Sequence, residues 1–221
     1  MLEISKLSLQ YDVRRLDERD AEDILRFCRQ NTLYYEYCGA EPSIQQVLSD
    51  LRIAPPGVDM RDKYYVGFFQ GGEMIAVLDL IDGYPDRDTG YIGFFMMNTR
   101  FQGRQIGSGI IRDVCSYLKQ TGKTSVRLGI AEENPQANRF WKKNGFSVIR
   151  KIPMDGWTVL EAEKKLASDE EESEPWQKKL QNGSVPNAAE CSRAGTSLIT
   201  AKNRVQWTNT SRHRKKRRSR S

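Results

Sequence analysis

Histidine is almost absent from this chain: the one histidine among 221 residues, His213, lies in a basic cluster near the C-terminus. A Ser-His-Asp triad, a histidine general base and a histidine-ligated metal site are therefore excluded from the rest of the chain. Of the four cysteines, no two form a CxxC pair. Cys28 and Cys115 fall on apolar faces of predicted helices, so we expect buried side chains and no metal site.

Long apolar runs are missing as well. No segment approaches the 18 or so residues that a membrane span needs, and the first residues lack the basic and apolar regions of a signal peptide. We therefore expect a cytoplasmic protein with no membrane partner. Net charge is missing from most of the chain, since residues 1–167 carry 23 basic and 23 acidic side chains. The overall charge of +6 comes from residues 168–221, with 12 basic and 6 acidic side chains.

These shifts in composition predict one folded domain, residues 1–167, followed by a disordered tail, residues 168–221, acidic first and then basic. The tail ends in seven Lys and Arg residues between Arg212 and Arg220. Nucleic acid could bind only through this cluster, by phosphate contacts. The cluster could equally be a nuclear targeting signal or an extension without a role.

The periodicity of residues 11–163 predicts the order β-α-α-β-β-β-α-β-α-β-β. Gly71-Gly72 and Asp155-Gly156 indicate hairpin turns. Asn134-Pro135 is a favourable helix start, and Asn144-Gly145 a favourable helix end. This order predicts an α+β fold in which helices cover a mixed, mostly antiparallel sheet.

The most informative segment is residues 91–111, where an apolar strand leads through a turn rich in glycine and cations into a helix. A helix that opens directly from such a turn directs several unpaired N–H groups, and the positive end of its dipole, at one point. That arrangement binds phosphate.

At this point the chain resembles the GNAT superfamily of acyl-CoA N-acyltransferases, in its bacterial-type single-domain form. The family's pyrophosphate-binding motif, Q/R-x-x-G-x-G/A, matches literally at Arg104, Gly107 and Gly109. The flanking apolar residues favour a register two positions earlier, which begins at Gln102 and places Gln105 where the family has glycine. A non-glycine residue in a left-handed conformation would cost about 1–2 kcal/mol there. A second segment, from Asn134 to Phe146, resembles the family's N-x-x-A segment ending in G-F.

The resemblance implies that acetyl-CoA binds along these two segments. In the family, the strand before the loop pairs through its backbone with the pantetheine arm, and the helix of the second segment touches that arm. This helix presents a tyrosine that can protonate the leaving thiolate, and Trp141 occupies its position here. We therefore expect Trp141 to line the acyl-CoA channel, because indole is no useful proton donor. The cofactor-binding residues implied are Met96, Met97, Gln102, Gly103, Arg104, Gln105, Ile106, Gly107, Ser108, Gly109, Asn134, Asn138 and Trp141.

The resemblance also implies direct attack by an amine on the thioester, so a general base or a water chain must take the amine proton. Some family members carry a glutamate near the start of the fourth strand, where this chain has Tyr91. Asp79, flanked by leucines, is the acidic residue for which we predict a raised pKa and a role in orienting the amine. Asp82, Glu132 and Glu133 are the other acidic candidates.

Aromatic residues near the acceptor side predict how the amine is held. Tyr34 and Tyr35 lie between the first two predicted helices, and Tyr84 lies in a turn, where each could contact an amine by cation–π interaction or simply pack. The resemblance implies that the acceptor is an amine of a small molecule or a protein. The alternatives are a catalytically weak acyl-CoA-binding module and a protein that associates with nucleic acid through its basic tail.

Overall fold

The structure, a computed structural model, describes residues 1–37 and 41–166 and the backbone of residues 200–201. The predicted disordered tail, residues 168–221, otherwise lies outside the described residues. The helices are α1 (Ala21–Arg29), α2 (Thr32–Glu36), α3 (Ile44–Arg52), α4 (Ile106–Gln120) and α5 (Pro135–Lys143). The strands are β1 (Asp12–Arg15), β2 (Lys63–Gln70), β3 (Glu73–Asp82), β4 (Thr89–Met97), β5 (Ser125–Ala131), β6 (Ser147–Pro153), β7 (Thr158–Lys165) and β8 (Thr200–Ala201).

The strands form one sheet in the order β1-β2-β3-β4-β5-β7-β6, and β8 pairs with β4. Neighbouring strands run antiparallel except for β4 and β5, which are parallel. The predicted α+β fold with a mixed, mostly antiparallel sheet is confirmed. The short helix α2 was not predicted from the sequence, which placed its tyrosines in a connection between helices.

Local sequence signals account for the ends of several elements. Ser43 caps α3 by accepting a hydrogen bond from the Gln46 N–H at 3.2 Å. The Asn134 side chain caps α5, and proline holds its first helical position. Gly71 and Gly72 both have positive φ, the conformation that a two-residue turn between antiparallel strands requires.

Two apolar cores lie on opposite faces of the sheet. One face packs against α4 and α5, and the other packs against α1, α2 and α3. Within the described ranges, no helix is both long and apolar enough to cross a membrane.

The centre of the sheet is split where β4 and β5 part. The two strands pair from Thr89 with Ser125 to Ile92 with Leu128, and then each continues to its own end. A bulge in β4 follows directly, because Asp79 of β3 pairs with Phe94, Leu80 pairs with Ile92, and Gly93 is left as the extra residue. Strand β8 pairs with Phe95 and Met96, on the β4 edge beyond the split.

Candidate functional site

The N-terminus of α4 lies directly after the C-terminal end of β4. Gln105, the residue before the helix, has a left-handed backbone with φ 62° and ψ 3°, and no side chain caps the helix there. The Gly109 N–H donates to the Gln105 carbonyl at 3.0 Å. The three preceding N–H groups, of residues 106–108, therefore have no acceptor within the helix. Together with the helix dipole, they form a site suited to phosphate.

Two glycines shape this N-terminus. Gly103 has φ 74°, which lets the loop turn before the helix begins. Gly107 lets α4 approach β4, because a Cβ at this position would lie 3.3 Å from the Met97 Cγ and 3.6 Å from the Phe95 ring. The helix start is therefore held close to the strand edge that the split exposes.

The polar residues of the loop have different surroundings. The Gln102 amide donates to the Asn31 side-chain oxygen at 2.9 Å and to the Met97 carbonyl at 3.1 Å, so it ties the loop to the end of β4. Arg104 is exposed, and no carboxylate within residues 1–37 and 41–166 pairs with it. The half-buried residues Ile106, Ser108 and Gly109 complete the first turn. Arg104 thus adds a free positive charge beside the helix N-terminus.

Helix α5 borders the other side of the split. The Asn134 side-chain oxygen accepts from the Ala137 N–H at 2.9 Å, while the Asn138 amide donates to the carbonyls of Ala131, Glu132 and Asn134. Both asparagines thereby hold the connection from β5 to α5. Trp141 is fully buried among Phe95, Phe140 and Phe146 rather than lining an open channel. Its indole Nε1 has no hydrogen-bond partner in the described part of the chain.

The two methionines at the end of β4 point into different cores. Met96 packs with α1–α3, and Met97 packs with α4. Their side chains are therefore structural, and only the backbone of this segment faces the split as an edge. In the structure, residues 200–201 pair with part of this edge.

Asp79 is paired in the interior, an arrangement that the sequence analysis did not foresee. Both of its carboxylate oxygens lie 2.6 Å from the Lys63 Nζ, and the two side chains are 12% and 3% exposed. Burial raises the pKa of Asp79, and the charge of Lys63 opposes this rise. The ion pair leaves Asp79 poorly suited to accept a proton from a substrate amine.

A different carboxylate, missed by the sequence analysis, lies beside Tyr91. Glu161 of β7 is buried, and its charge contributes to raising the pKa of Tyr84 and Tyr91, after the larger effect of burial. The two tyrosine rings contact each other edge to face, with centroids 5.4 Å apart. Burial raises the pKa of Tyr91 above its ordinary value, so its phenol stays protonated well beyond neutral pH. The sequence signal that could have identified Glu161 is an acidic residue at an inward-facing position of a predicted strand.

The two tyrosines of α2 are mainly packing residues. Tyr34 is buried, with its ring 4.6 Å from that of Tyr35 and 6.0 Å from that of Phe94. Tyr35 is half-buried against the same core. Of the aromatic candidates for contact with an acceptor, Tyr84 and Tyr35 retain accessible surface.

These features fit an extended ligand with a phosphate group at one end. The helix N-terminus and Arg104 match the phosphate, and the backbone edge of β4 matches an amide-bearing arm. The close contact at Gly107 holds the start of α4 beside this strand. The residues present are therefore compatible with coenzyme A.

Comparison with known proteins gives a consistent result. A family model described as the acetyltransferase (GNAT) family matches residues 25–146. An uncharacterized N-acetyltransferase of Methanocaldococcus jannaschii is 25% identical over 162 residues, which cover 71% of this chain and 68% of that protein. An acetyltransferase structure from Thermus thermophilus aligns with a TM-score of 0.58 at 22% identity, covering 71% of this chain and 97% of that one. An aminoglycoside acetyltransferase in complex with coenzyme A aligns with a TM-score of 0.56 at 14% identity, covering 71% and 95%. With its fold, its helix N-terminus at the split sheet and a family match over more than half of its length, the chain belongs to the GNAT family of acetyltransferases.

Proposed function

We propose that this protein is an N-acetyltransferase that transfers the acetyl group of acetyl-CoA directly to an amine of a small molecule or a protein, in the cytoplasm. The observation that carries the proposal is the N-terminus of α4, where the three N–H groups of residues 106–108 have no acceptor within the helix and lie beside the split between β4 and β5. Residues 1–167 carry the whole activity, and the tail is dispensable for it.

The binding residues divide by their contacts. The backbone N–H groups of Ile106, Gly107 and Ser108 hold the pyrophosphate, and Arg104 supplies positive charge. Gly103 lets the loop turn toward the helix, and the missing side chain of Gly107 lets α4 lie close to β4. The backbone of Met96 and Met97 pairs with the pantetheine arm, so β8 must leave this edge when the arm binds. Asn134 and Asn138 act indirectly, by fixing α5.

Acetyl-CoA supplies a thioester carbonyl as the electrophile. The protein has to present the amine in its neutral form, although an alkyl amine with a pKa near 10.4 is neutral about one time in 2,500 at pH 7, a handicap of about 4.6 kcal/mol. The phenol of Tyr91, whose pKa burial raises, keeps its proton and can donate a hydrogen bond near the reaction. Asp79 then acts as a positioning residue, because its carboxylate lies against the β4 bulge at Gly93. Tyr84 and Tyr35 contact the acceptor, with Tyr34 supporting Tyr35 and Tyr91 supporting Tyr84 from the core.

The proposal is tested by incubating the protein with acetyl-CoA and a panel of amines, and by measuring release of free thiol. The panel contains a polyamine, an aminoglycoside, a peptide with a free α-amino group and a peptide with an internal lysine. We expect thiol release that depends on one class of amine, with an acetylated product of mass increased by one acetyl group.

A catalytically weak acyl-CoA-binding module is the second candidate, favoured by Trp141 in the place of the family's tyrosine and by its burial in the core. Measurement of coenzyme A affinity by calorimetry separates the two functions. Tight binding without turnover on any amine would favour the second candidate, whereas absence of binding would refute both.

A further inference from the structure

The most unusual group outside the phosphate site is the carboxylate of Glu161. It lies on the sheet face that carries α1–α3, because its two neighbours on β7, Leu160 and Ala162, belong to the core on the other face. Glu161 is two residues from Glu163 on the same strand, so both side chains share this face. The carboxylate is therefore on the side opposite α4 and α5.

The register places Glu161 at the point where the sheet splits. Its partner on β5 is Gly129, the residue that follows the last β5 residue paired with β4. On β4, the extra residue of the bulge, Gly93, occurs at the same level. Neither glycine carries a side chain that would cover the carboxylate, so the opening between the strands has Glu161 at its edge.

The hydrogen bonds of Glu161 involve one oxygen. Arg150 of β6 holds Oε2 through its Nε at 2.9 Å and its Nη2 at 2.8 Å. Within the described residues, Arg150 is the one side chain that hydrogen-bonds to Glu161, and both of its bonds go to Oε2. The charge of Arg150 offsets part of the cost of burying the carboxylate, and its two bonds fix the orientation of the free oxygen.

We propose that Glu161 Oε1 binds the nitrogen of the incoming acceptor amine, as a hydrogen-bond acceptor for its cationic form, which then loses its proton to water before the neutral amine attacks the thioester. This deepens the proposed function, on which it rests, by naming the group that holds the acceptor. Tyr84 and Tyr91, whose rings contact each other, are close enough for the charge of Glu161 to contribute to raising the pKa of both, and they add cation–π attraction for an ammonium. The favoured acceptors are therefore primary alkyl amines, which are protonated at neutral pH, rather than aryl amines, which are not.

Binding is tested directly with n-butylammonium as the probe. It is titrated into the full-length protein saturated with coenzyme A and labelled with 3-fluorotyrosine, whose resonances are assigned by tyrosine-to-phenylalanine variants. We expect the signals of Tyr84 and Tyr91 to shift in the wild type. The apparent affinity should fall by about 10- to 100-fold in Glu161→Gln, the range for loss of one charge-assisted hydrogen bond.

Glu163→Gln is the matched control. Glu163 shares the strand and the face, and its side chain is 9% exposed compared with 11% for Glu161, but it pairs with Arg127 and Lys165. This variant should bind n-butylammonium as the wild type does, and 1-butanol, which has no charge, should bind all three proteins equally weakly. If Glu161→Gln does not fold, Glu161→Asp keeps the charge but withdraws it by one methylene, and should lose affinity partially.

The kinetic counterpart uses the amine that the panel identifies. In Glu161→Gln, KM for the amine should rise by about 10- to 100-fold, with KM for acetyl-CoA unchanged. Equal responses to n-butylammonium in the wild type and Glu161→Gln, or equal losses in the two glutamine variants, would refute the assignment. Failure of every amine in the thiol-release assay would count against the proposed function alone, since the titration does not require turnover.

Discussion

Replacing Gln105 by glycine should make the protein more stable. The φ of 62° costs a residue with a side chain about 1–2 kcal/mol. Glycine removes this cost, but it also gives the unfolded chain more conformational freedom, which lowers the free energy of unfolding by about 0.4–1 kcal/mol. The Gln105 side chain is exposed and makes no hydrogen bond to the described residues, so little else is lost. The expected net gain is about 0.5–1 kcal/mol in the free energy of unfolding.

The reverse substitution two residues earlier is the matched control. Gly103 has φ 74°, and a Cβ there would meet no atom within 4 Å, so Gly103→Gln tests backbone conformation without a steric clash. Gly103→Gln should lower the free energy of unfolding by a similar amount, and the double variant should have a free energy of unfolding close to that of the wild type. For a domain of this size, 1 kcal/mol corresponds to about 2–4 °C in Tm.

Both Tm, by scanning calorimetry, and coenzyme A affinity should be measured for the three variants. Gln105→Gly retains the three free N–H groups, so its affinity should stay within about twofold of the wild type. If Gln105→Gly lowers Tm while Gly103→Gln also lowers it, the glutamine side chain stabilises the loop by a contact, and the strain argument is wrong. If neither variant changes Tm, the left-handed conformation carries no measurable cost.

Other variants test the interior ion pair, the charge beside the phosphate site and the tail. Lys63→Met should lower the free energy of unfolding by about 3–5 kcal/mol, because it leaves Asp79 charged and unpaired in the interior, and Lys63→Met/Asp79→Leu should lose less than the single variant. In denaturant titrations, the decrease in the free energy of unfolding caused by Lys63→Met should become smaller as the pH falls. The reason is that the buried Asp79, with its raised pKa, takes up a proton in the folded state at a higher pH than in the unfolded state. A decrease that does not depend on pH would contradict this. Arg104→Gln should weaken coenzyme A binding by about two- to fivefold at low salt. Arg100→Gln should not, because the Arg100 guanidinium is already paired with Glu73 at 2.8 Å. Equal effects of the two variants in calorimetry would show that Arg104 does not contribute to the phosphate site. Ending the chain after Leu166 should preserve kcat and should not raise KM for acetyl-CoA, since the one described contact that it removes is the pairing of residues 200–201 with the β4 edge. Loss of folding would show that the tail belongs to the domain.

Local signals made the element order predictable. Ser43 and Asn134 cap helices, and the Gly71-Gly72 turn joins β2 to β3, because each of these effects depends on residues adjacent in sequence. The strand, turn and helix N-terminus of residues 91–111 could likewise be predicted, since they follow one another along the chain.

The acceptor side depends on contacts between distant residues and could not be predicted in the same way. Lys63 meets Asp79 only because β2 and β3 adopt one register, and a shift of one strand by one residue would place the two side chains on opposite faces of the sheet. Glu161 and Tyr91 are brought together across two strand interfaces, although they are 70 positions apart in the sequence. The burial of Trp141 depends on how α5 packs on the sheet, which its helical pattern alone leaves open.

The bulge at Gly93 links two positions that are 14 residues apart. A Cβ on residue 93 would lie 2.9 Å from the Asp79 Oδ2, and that oxygen cannot retreat because Lys63 holds it at 2.6 Å. Relatives that keep this ion pair should therefore keep glycine at 93, while relatives that have lost the acidic residue are free to place a side chain there. The two positions should vary together through evolution, and a designer who wishes to add a side chain at the acceptor face must first remove the carboxylate beneath it.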